Sequence, residues 1–228
     1  MGFTRELELG VAALRKVIQM EVSDPQDVET ALQAANADLP EAVEFIRTST
    51  SKMDRLINAI LKLSREGQRR LASEPIDLKN FFDTLIASMR HVASESGAQI
   101  EMHGDFPSIL SDRIGIEQIF GNLLDNAIKY LLPGRAGRIV VRAQQTADRV
   151  CITIADNGRG IAEKDHERVF ELYRRAGTQD RPGEGIGLAH VRTMVRRLEG
   201  SIELRSILGE GTEFTVGLPK ILRVQRGV

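Results

Sequence analysis

The spacing of hydrophobic residues changes near residue 70 of the chain. Before that point, aromatic residues are nearly absent and apolar residues recur every three or four positions. This spacing is typical of a helix whose apolar seam packs against other helices. The first such seam consists of Leu7, Val11, Leu14 and Ile18. Asp24 followed by Pro25 predicts the start of a second helical segment, and Pro40 predicts a break or restart.

A longer apolar stripe follows between Glu41 and about Arg69. It consists of Ile46, Met53, Leu56, Ile57, Ile60 and Leu63. One helical hairpin has too little surface to bury both seams, whereas two chains would cover them in a four-helix bundle. The pattern therefore predicts a helical domain over residues 1–72 that forms a homodimer.

After residue 73, helical and strand-like patterns interleave. An amphipathic helix that ends at Gly97 is predicted from its apolar side, which consists of Phe82, Leu85, Ile86, Met89 and Val92. Two further helices are predicted over residues 118–130 and 188–198. Alternation with period two predicts strands at 139–141, 150–154, 202–204 and 214–218. We expect a two-layer α/β sandwich over residues 73–222, with helices on one face of a mixed sheet. Residues 223–228 form a tail.

Composition narrows the class of protein. The net charge of −1 argues against a nucleic-acid partner, because phosphate neutralisation requires clustered Lys and Arg. No apolar run reaches the roughly 20 residues that span a bilayer. Cys151 is the single cysteine, and its place in an apolar alternating run predicts a buried thiol. These features predict a soluble cytoplasmic protein.

A first candidate for chemistry is the predicted helix that contains GNLLDNAIKY. Asn122, Asn126, Lys129 and Tyr130 share one side of this helix, opposite the apolar positions. An amide oxygen suits Mg²⁺ together with nucleotide phosphates, and a lysine can meet phosphate oxygens. The same spacing also fits an amphipathic helix with a solvated face.

Two further candidates are rich in glycine. Asp156 follows an apolar strand and can accept a hydrogen bond from an adenine amine, although an Asp-Asn-Gly turn has the same residues. The segment GEGIGL, residues 183–188, precedes a predicted helix whose N-terminal amides can hold a phosphate. A glycine-alternating loop is weak evidence alone, and this one lacks the lysine of a Walker loop.

Together, the order and spacing of these segments resemble the catalytic domain of histidine kinases. That domain belongs to the ATPase superfamily that includes gyrase, the Hsp90 chaperones and the MutL proteins. NLLDNAIKY resembles the N box of the family, DNGRGI its G1 box, VFELYRR its F box and GEGIGLAHV its G2 box. GEGTEFTVGLP resembles its closing strand, so the resemblance covers about residues 74–222. Upstream, MDRLINAILKLSREG resembles the second helix of the dimerisation and phosphotransfer domain, most like the phytochrome-type kinases.

The resemblance implies ATP and Mg²⁺ as ligands. It implies that Asn126 binds the metal, that Lys129 contacts the phosphates and that Tyr130 stacks near the adenine. Asp156 would accept from the adenine amine. Asn122 stands where hydrolytic relatives carry a carboxylate, and an amide is a poor base, which favours phosphoryl transfer over hydrolysis. The other residues implied around the nucleotide are Gly158, Gly160, Ile161, Phe170, Arg175, Gly183, Gly185, Ile186, Gly187, Leu188 and Thr212.

Within the implied set, Phe170 and Arg175 would stand at the edge of a lid that runs to about Gly183. Gly185 and Gly187 would hinge that lid and contact phosphates. Glu184 departs from the family pattern, because it puts a negative charge beside the expected phosphate loop.

The largest departure is the absence of a phosphoacceptor histidine. A histidine kinase carries it near the start of the first bundle helix, and this chain has no histidine before His91. Residues 3–7, FTREL, resemble the start of that motif with Arg5 in its place, and a guanidinium cannot act as a nucleophile at neutral pH. The other three, His103, His166 and His190, are predicted to be surface or supporting residues, with His190 near the triphosphate.

These features leave three functions open. The first is a histidine-kinase-family protein that binds Mg-ATP, cannot phosphorylate its own bundle, and acts on a partner's histidine or uses ATP as a conformational ligand. The second is a non-catalytic docking module whose bundle binds a response-regulator receiver domain. The expected partner is thus a receiver domain or, alternatively, a phosphotransfer protein. The third is a slow ATPase, which Asn122 disfavours.

Overall fold

A computed structural model describes residues 10–11, 26, 29–30, 33–171 and 186–223. The chain divides into two compact units, residues 1–65 and 66–228. Apart from Val11, the first predicted seam lies outside the described residues, as does the helix start at Asp24 and Pro25. Within the described part, none of the helices combines the length and the apolar character that crossing a bilayer requires. The predicted domain boundary at residue 72 stays a prediction.

A π-helical turn, Ala34–Asp38, leads into the long helix α1, Leu39–Gln68. Pro40 lies in the first turn of α1, where its missing N–H has no helical partner to lose, so the predicted restart is confirmed. Among the described side chains of the predicted stripe, Ile46, Met53, Ile57 and Ile60 have relative exposures of 49–57% in the single chain. An exposed apolar surface of this kind is typical of a site that binds another protein surface.

A five-stranded mixed sheet forms the centre of the second unit. Its strands are β2 (Ala98–Gly104), β4 (Gly137–Gln145), β5 (Arg149–Asp156), β6 (Ser201–Ile207) and β7 (Gly211–Pro219). The order across the sheet is β2-β4-β5-β7-β6. β2 and β4 are parallel, and the remaining neighbours are antiparallel. The predicted mixed sheet and the antiparallel pairing near the chain's end are confirmed.

Three helices pack on one face of this sheet: α2 (Leu78–Glu95), α3 (Arg113–Lys129) and α4 (Gly187–Arg197). Alternate residues of the central strands, such as Ile139, Ile152 and Val216, are fully buried beneath them. Phe82 lies in the same core, with its ring centroid 4.9 Å from that of Phe120 in an edge-to-face contact. The two-layer α/β sandwich predicted from the sequence is confirmed.

A small two-stranded sheet precedes α3, formed by β1 (Ser73–Asp77) and β3 (Ser108–Asp112). Asp112 is 1% exposed and caps α3 by accepting from the backbone N–H of Gly115 (2.7 Å). Its carboxylate also accepts from the Ala72 N–H (2.9 Å) and from both terminal nitrogens of Arg69. Burial raises the pKa of Asp112, but these hydrogen bonds and the Arg69 charge together lower it below its usual value.

The segment that enters the second unit is held from two helices at once. Arg69 bonds to the residue that caps α3, and its own carbonyl accepts from the Arg197 guanidinium in the last turn of α4 (2.5 Å). Residues 69–72 are therefore fixed to both helices that carry the glycine-rich and amide-rich segments.

Some local predictions are wrong. α3 begins at Arg113 rather than Gln118, because Asp112 caps it by accepting from the Gly115 N–H (2.7 Å). Val92 is 53% exposed while its neighbour Ala93 is buried in the core, so Val92 lies on the solvent side of α2. Cys151 points to the face of β5 opposite Val150 and Ile152 and is only half-buried.

Candidate functional site

The polar side of α3 meets the N-terminus of α4. Asn122 donates from Nδ2 to the Gln118 carbonyl (2.6 Å), and its Oδ1 is directed towards Gly187. A Cβ added at Gly187 would lie 3.0 Å from that oxygen and 4.0 Å from Nδ2 of Asn126. The structure thus brings two amides of α3 close to Gly187, some 60 positions later in the sequence, and the absence of a side chain at Gly187 leaves room between the two helices.

The first turn of α4 has no side-chain cap. Ile186 occupies the N-cap position, and its side chain forms no capping bond to the first N–H groups of the helix. These amides and the partial positive charge of the helix terminus suit an anion. Gly183 and Gly185 lie outside the described residues, as do Arg175 and Glu184.

Tyr130 ends α3 one turn after Asn126. Its N–H donates to the Asn126 carbonyl (3.0 Å), and its own carbonyl accepts from the Arg159 N–H (2.9 Å). The Arg159 guanidinium lies 4.3 Å from the Tyr130 ring centroid, and the Lys129 ammonium lies 5.5 Å from it. The ring therefore connects α3 to the loop after β5, which the sequence did not predict.

Asp156 lies at the end of β5, where Oδ1 accepts from the Gly158 N–H (2.8 Å). Burial raises the pKa of this carboxyl group to about 6. Hydrogen bonds from Gly158 and Thr212 and the charge of Arg135 oppose that rise without cancelling it. A carboxylate held in a partly desolvated position with two backbone donors is arranged to accept a further bond from a ligand.

Close backbone packing explains the glycines of this loop. A Cβ at Gly158 would lie 2.5 Å from the Tyr130 carbonyl oxygen. At Gly160, whose φ is +67°, it would collide with the Ile207 carbonyl, and at Gly211 with the Asp156 carbonyl. These positions need glycine because main-chain atoms occupy the space of a side chain.

Two hydroxyl groups, those of Ser206 and Thr212, form hydrogen bonds at the same loop. Ser206 on β6 accepts from the Ile161 N–H (2.8 Å) and donates to the Gly211 carbonyl (2.8 Å). The hydroxyl of the buried Thr212 lies 3.0 Å from the Ser206 hydroxyl. Thr212, which the resemblance implies near the nucleotide, is paired with Asp156 across β5 and β7, and its backbone N–H bonds to the Asp156 carboxylate.

Phe170 lies in a short 3₁₀ turn, Arg168–Phe170, and is 8% exposed. Its ring packs edge-on against Phe214 at 6.2 Å. Arg192 on α4 lies over the ring (5.2 Å to the centroid) and donates to the Phe170 carbonyl (3.1 Å). The residue predicted at the edge of a lid is thereby anchored to α4. A groove of about 540 Å³ opens beside it, lined by His166, Glu167, Phe170, Glu171, Arg192, Ile202 and Leu204.

The four histidines all lie in the second unit. His91 and His103 are exposed and lie within 3.6 and 3.1 Å of Glu95 and Glu101, respectively. His166 lies 3.1 Å from the Ile161 carbonyl oxygen. His190 is 6% exposed on α4, three residues after Gly187. Within the described residues, no cluster of three or more His, Cys, Asp or Glu side chains could hold a metal ion.

Comparison with known proteins agrees with this geometry. Residues 111–222 match the family described as histidine kinase-, DNA gyrase B-, and HSP90-like ATPase. The adaptive-response sensory kinase SasA of a Synechococcus species is 34% identical over 202 residues, covering 84% of this chain and 53% of SasA. The phytochrome-like protein Cph1 of a Synechocystis species is 30% identical over 188 residues, covering 82% of this chain and 25% of Cph1.

A solved structure has a similar fold. Full-length ShkA in complex with AMPPNP superimposes with a TM-score of 0.64 and 25% identity, covering 97% of this chain and 44% of ShkA. The chain therefore spans about half or less of the length of each of these relatives. With the two amides of α3 facing the uncapped end of α4, and Asp156 in its glycine-bounded loop, the chain carries a catalytic domain of the sensor histidine kinase type, within the histidine kinase-, gyrase- and HSP90-like ATPase family.

Proposed function

We propose that residues 73–222 bind Mg-ATP. The observation that carries this proposal is the convergence of Asn122 and Asn126 on Gly187 at the uncapped N-terminus of α4. There, Asn126 would contribute an amide oxygen to the magnesium ion, and Lys129 would contact phosphate oxygens. Ile186, Gly187 and Leu188 would present their backbone to the phosphates. The roles of Gly183, Gly185 and Arg175 stay predictions.

The adenine end is proposed to lie around Asp156. The carboxylate would accept from the adenine amine, with Gly158, Gly160, Ile161 and Thr212 forming the walls. Tyr130 would lie near the base with Arg159 stacked on its ring. Support comes from the one-turn separation of Asn126 and Tyr130, which aligns the two ends of the site along α3.

The chemistry proposed is phosphoryl transfer. Bound Mg-ATP supplies the γ-phosphoryl group and the charge that stabilises its transfer. The chain's residues bind and orient: the amides of Asn122 and Asn126 cannot take a proton from water, so this part of the site favours transfer over hydrolysis.

We further propose that the chain does not phosphorylate its own bundle. None of its four histidines lies in residues 1–90, and the histidines of the second unit lie on α2, β2, a loop and α4. The domain would then act on a histidine of a partner, such as a phosphotransfer protein, or use ATP as a conformational ligand. The alternative is a non-catalytic module that docks a response-regulator receiver domain.

A homodimer is proposed through α1. Its apolar stripe is half-exposed in the single chain, and a second copy of the same helix would cover it by symmetry. Sedimentation of the intact chain would test this, and a monomer at micromolar concentration would contradict it.

Calorimetry and labelling separate the proposed functions. The chain is titrated with Mg-ADP and a non-hydrolysable ATP analogue, and then incubated with γ-labelled ATP, alone and with receiver or phosphotransfer proteins. We expect binding and no acid-labile label on this chain. Label on the chain would overturn the missing-acceptor proposal, whereas no nucleotide binding would leave only the docking module.

An Asn126→Asp variant tests the assigned magnesium ligand. A carboxylate in place of the amide repels phosphates without the metal and attracts the metal, so the ratio of affinities with and without Mg²⁺ should change about tenfold. Asp125→Asn is the matched control, because Asp125 is its exposed neighbour on α3. An unchanged ratio in Asn126→Asp would remove Asn126 from the metal site.

A further inference from the structure

The guanidinium of Arg135 donates to four backbone carbonyl groups, although Arg135 belongs to none of the motifs of the site. It lies in the loop between α3 and β4, and one of its terminal nitrogens lies among three carbonyl oxygens while the other reaches a fourth. The acceptors are the carbonyls of Asn157, Gly158 (2.9 Å), Glu210 (3.1 Å) and Gly209 (3.4 Å). A guanidinium provides five N–H donors in a rigid plane, which suits such an arrangement.

These carbonyls belong to two segments that must stay together. Asn157 and Gly158 are in the loop after Asp156, and Gly209 and Glu210 are in the turn that joins β6 to β7. The segments also bond directly, since the Gly209 N–H donates to the Arg159 carbonyl (2.7 Å). Arg135 therefore closes the junction from a third part of the chain.

The Asn157 side chain bonds to a different part of the chain. Asn157 accepts from the Arg138 N–H (2.8 Å) and donates to the Ala136 carbonyl (2.9 Å), so it fixes the loop to the start of β4. It makes no contact of this kind with the β6–β7 turn. Ser206 joins the far end of the loop, Ile161, to Gly211 at the start of β7. Arg135 bonds to residues 157–158, next to Asp156, and to residues 209–210 of the turn.

We infer that Arg135 is a positioning residue of the nucleotide site, which holds the 156–161 loop on the β6–β7 turn and so orients Asp156 towards the base. This inference rests on the proposed nucleotide-binding function. Arg135 also acts by its charge, which lowers the pKa of Asp156 against the effect of burial. The effect of the hydrogen bonds can be separated from the effect of the charge, because a lysine in place of Arg135 keeps the positive charge and loses the planar guanidinium donors.

The test compares Arg135→Ala, Arg135→Lys and the control Arg142→Ala, by calorimetric titration with Mg-ADP from pH 5 to 8. Arg142 lies on β4 in an exposed ion pair with Glu213 (2.6 Å) and does not bond to the loop. We expect both Arg135 variants to bind about tenfold more weakly at pH 8. Only Arg135→Ala should move the acid midpoint of binding to higher pH, because it alone removes the positive charge beside Asp156.

Wild-type affinity and an unshifted midpoint in Arg135→Ala would overturn the inference. Hydrogen exchange without nucleotide gives a readout independent of binding: amides 157–161 and 209–211 should exchange faster in both Arg135 variants and not in Arg142→Ala. If the wild-type chain binds no nucleotide while this exchange difference is present, the proposed function is wrong, but Arg135 still holds the loop on the turn. If exchange is unchanged, Arg135 does not hold the loop.

Discussion

Nucleotide binding should weaken in acid because of one carboxyl group. Asp156 has a pKa raised to about 6 by burial, and the proposed bond to an adenine amine requires the carboxylate. The perturbation is a pH change from 7 to 5, which protonates this group in the free protein. The ligand-bound form keeps the carboxylate ionised, so protonation competes with binding.

The size of the effect follows from the pKa. With a value of about 6, Asp156 is about nine-tenths ionised at pH 7 and about one-tenth ionised at pH 5. Binding that requires the carboxylate should therefore weaken about tenfold over this range, equivalent to about 1.4 kcal/mol. Each binding event at pH 5 should release close to one proton.

The same shift has the opposite sign for the stability of the free protein. Because the folded pKa is raised from 3.8, the group's stabilising contribution is complete below 3.8 and is lost as pH rises through 6. A rise to about 6 corresponds to about 3 kcal/mol, an upper figure for a group that keeps some solvent contact. Near neutral pH, the ionised Asp156 carboxylate therefore lowers the free energy of unfolding of the nucleotide-free protein.

Calorimetry with Mg-ADP in buffers of different ionisation enthalpy measures both affinity and proton release. Phosphate groups of the ligand titrate in the same range, so the control is Asp156→Asn, which shares that titration and lacks the carboxyl group. We expect the wild-type to variant affinity ratio to fall about tenfold between pH 7 and pH 5. An equal ratio at the two pH values would refute the assigned role of Asp156.

Two further predictions concern the framework of the site. Asp112→Ala removes a helix cap and leaves the half-buried Arg69 guanidinium without its carboxylate, so urea unfolding should show a loss of about 2–4 kcal/mol. Lys79→Ala, which breaks an exposed pair on α2, should change stability by less than about 0.5 kcal/mol, and equal losses would contradict the argument. Gly160→Ala should abolish nucleotide binding, because the added Cβ meets a backbone carbonyl as well as a strained φ. Gly134→Ala carries the strain (φ +82°) without the contact, so it should keep binding; similar binding by both variants would contradict this account.

The sequence predicted the large elements because their burial is periodic. Ile152 and Ile154, like Phe214 and Val216, alternate with solvent-facing residues, and the same alternation is present in their cross-strand register. The amides of α3 were also predictable, since a helix of known pitch places them on one side. The convergence of these amides on Gly187 required the resemblance to a family, because no local pattern joins residues so far apart.

The remaining features have no signal in the sequence. The pairing of β1 with β3 joins segments some 30 residues apart, and Pro75 within β1 argues against a strand. Arg135 could not be predicted, because its partners are carbonyl groups that every residue has. Arg159 on Tyr130 likewise depends on how one loop is directed, which no periodicity of the chain reports.

The close backbone packing at Gly158, Gly160 and Gly211 has a consequence for how the history of this chain is interpreted. A side chain at any of these positions would displace a main-chain carbonyl, at the end of α3 for Gly158 and in the strands β6 and β5 for Gly160 and Gly211. Selection for a folded domain would therefore keep these glycines even in a lineage that had ceased to use ATP. Asn126 is half-buried on the polar side of α3, where substitution need not disturb the core. The three glycines are therefore required by the fold itself. Retention of Asn126 is better evidence that a chain of this kind still uses ATP.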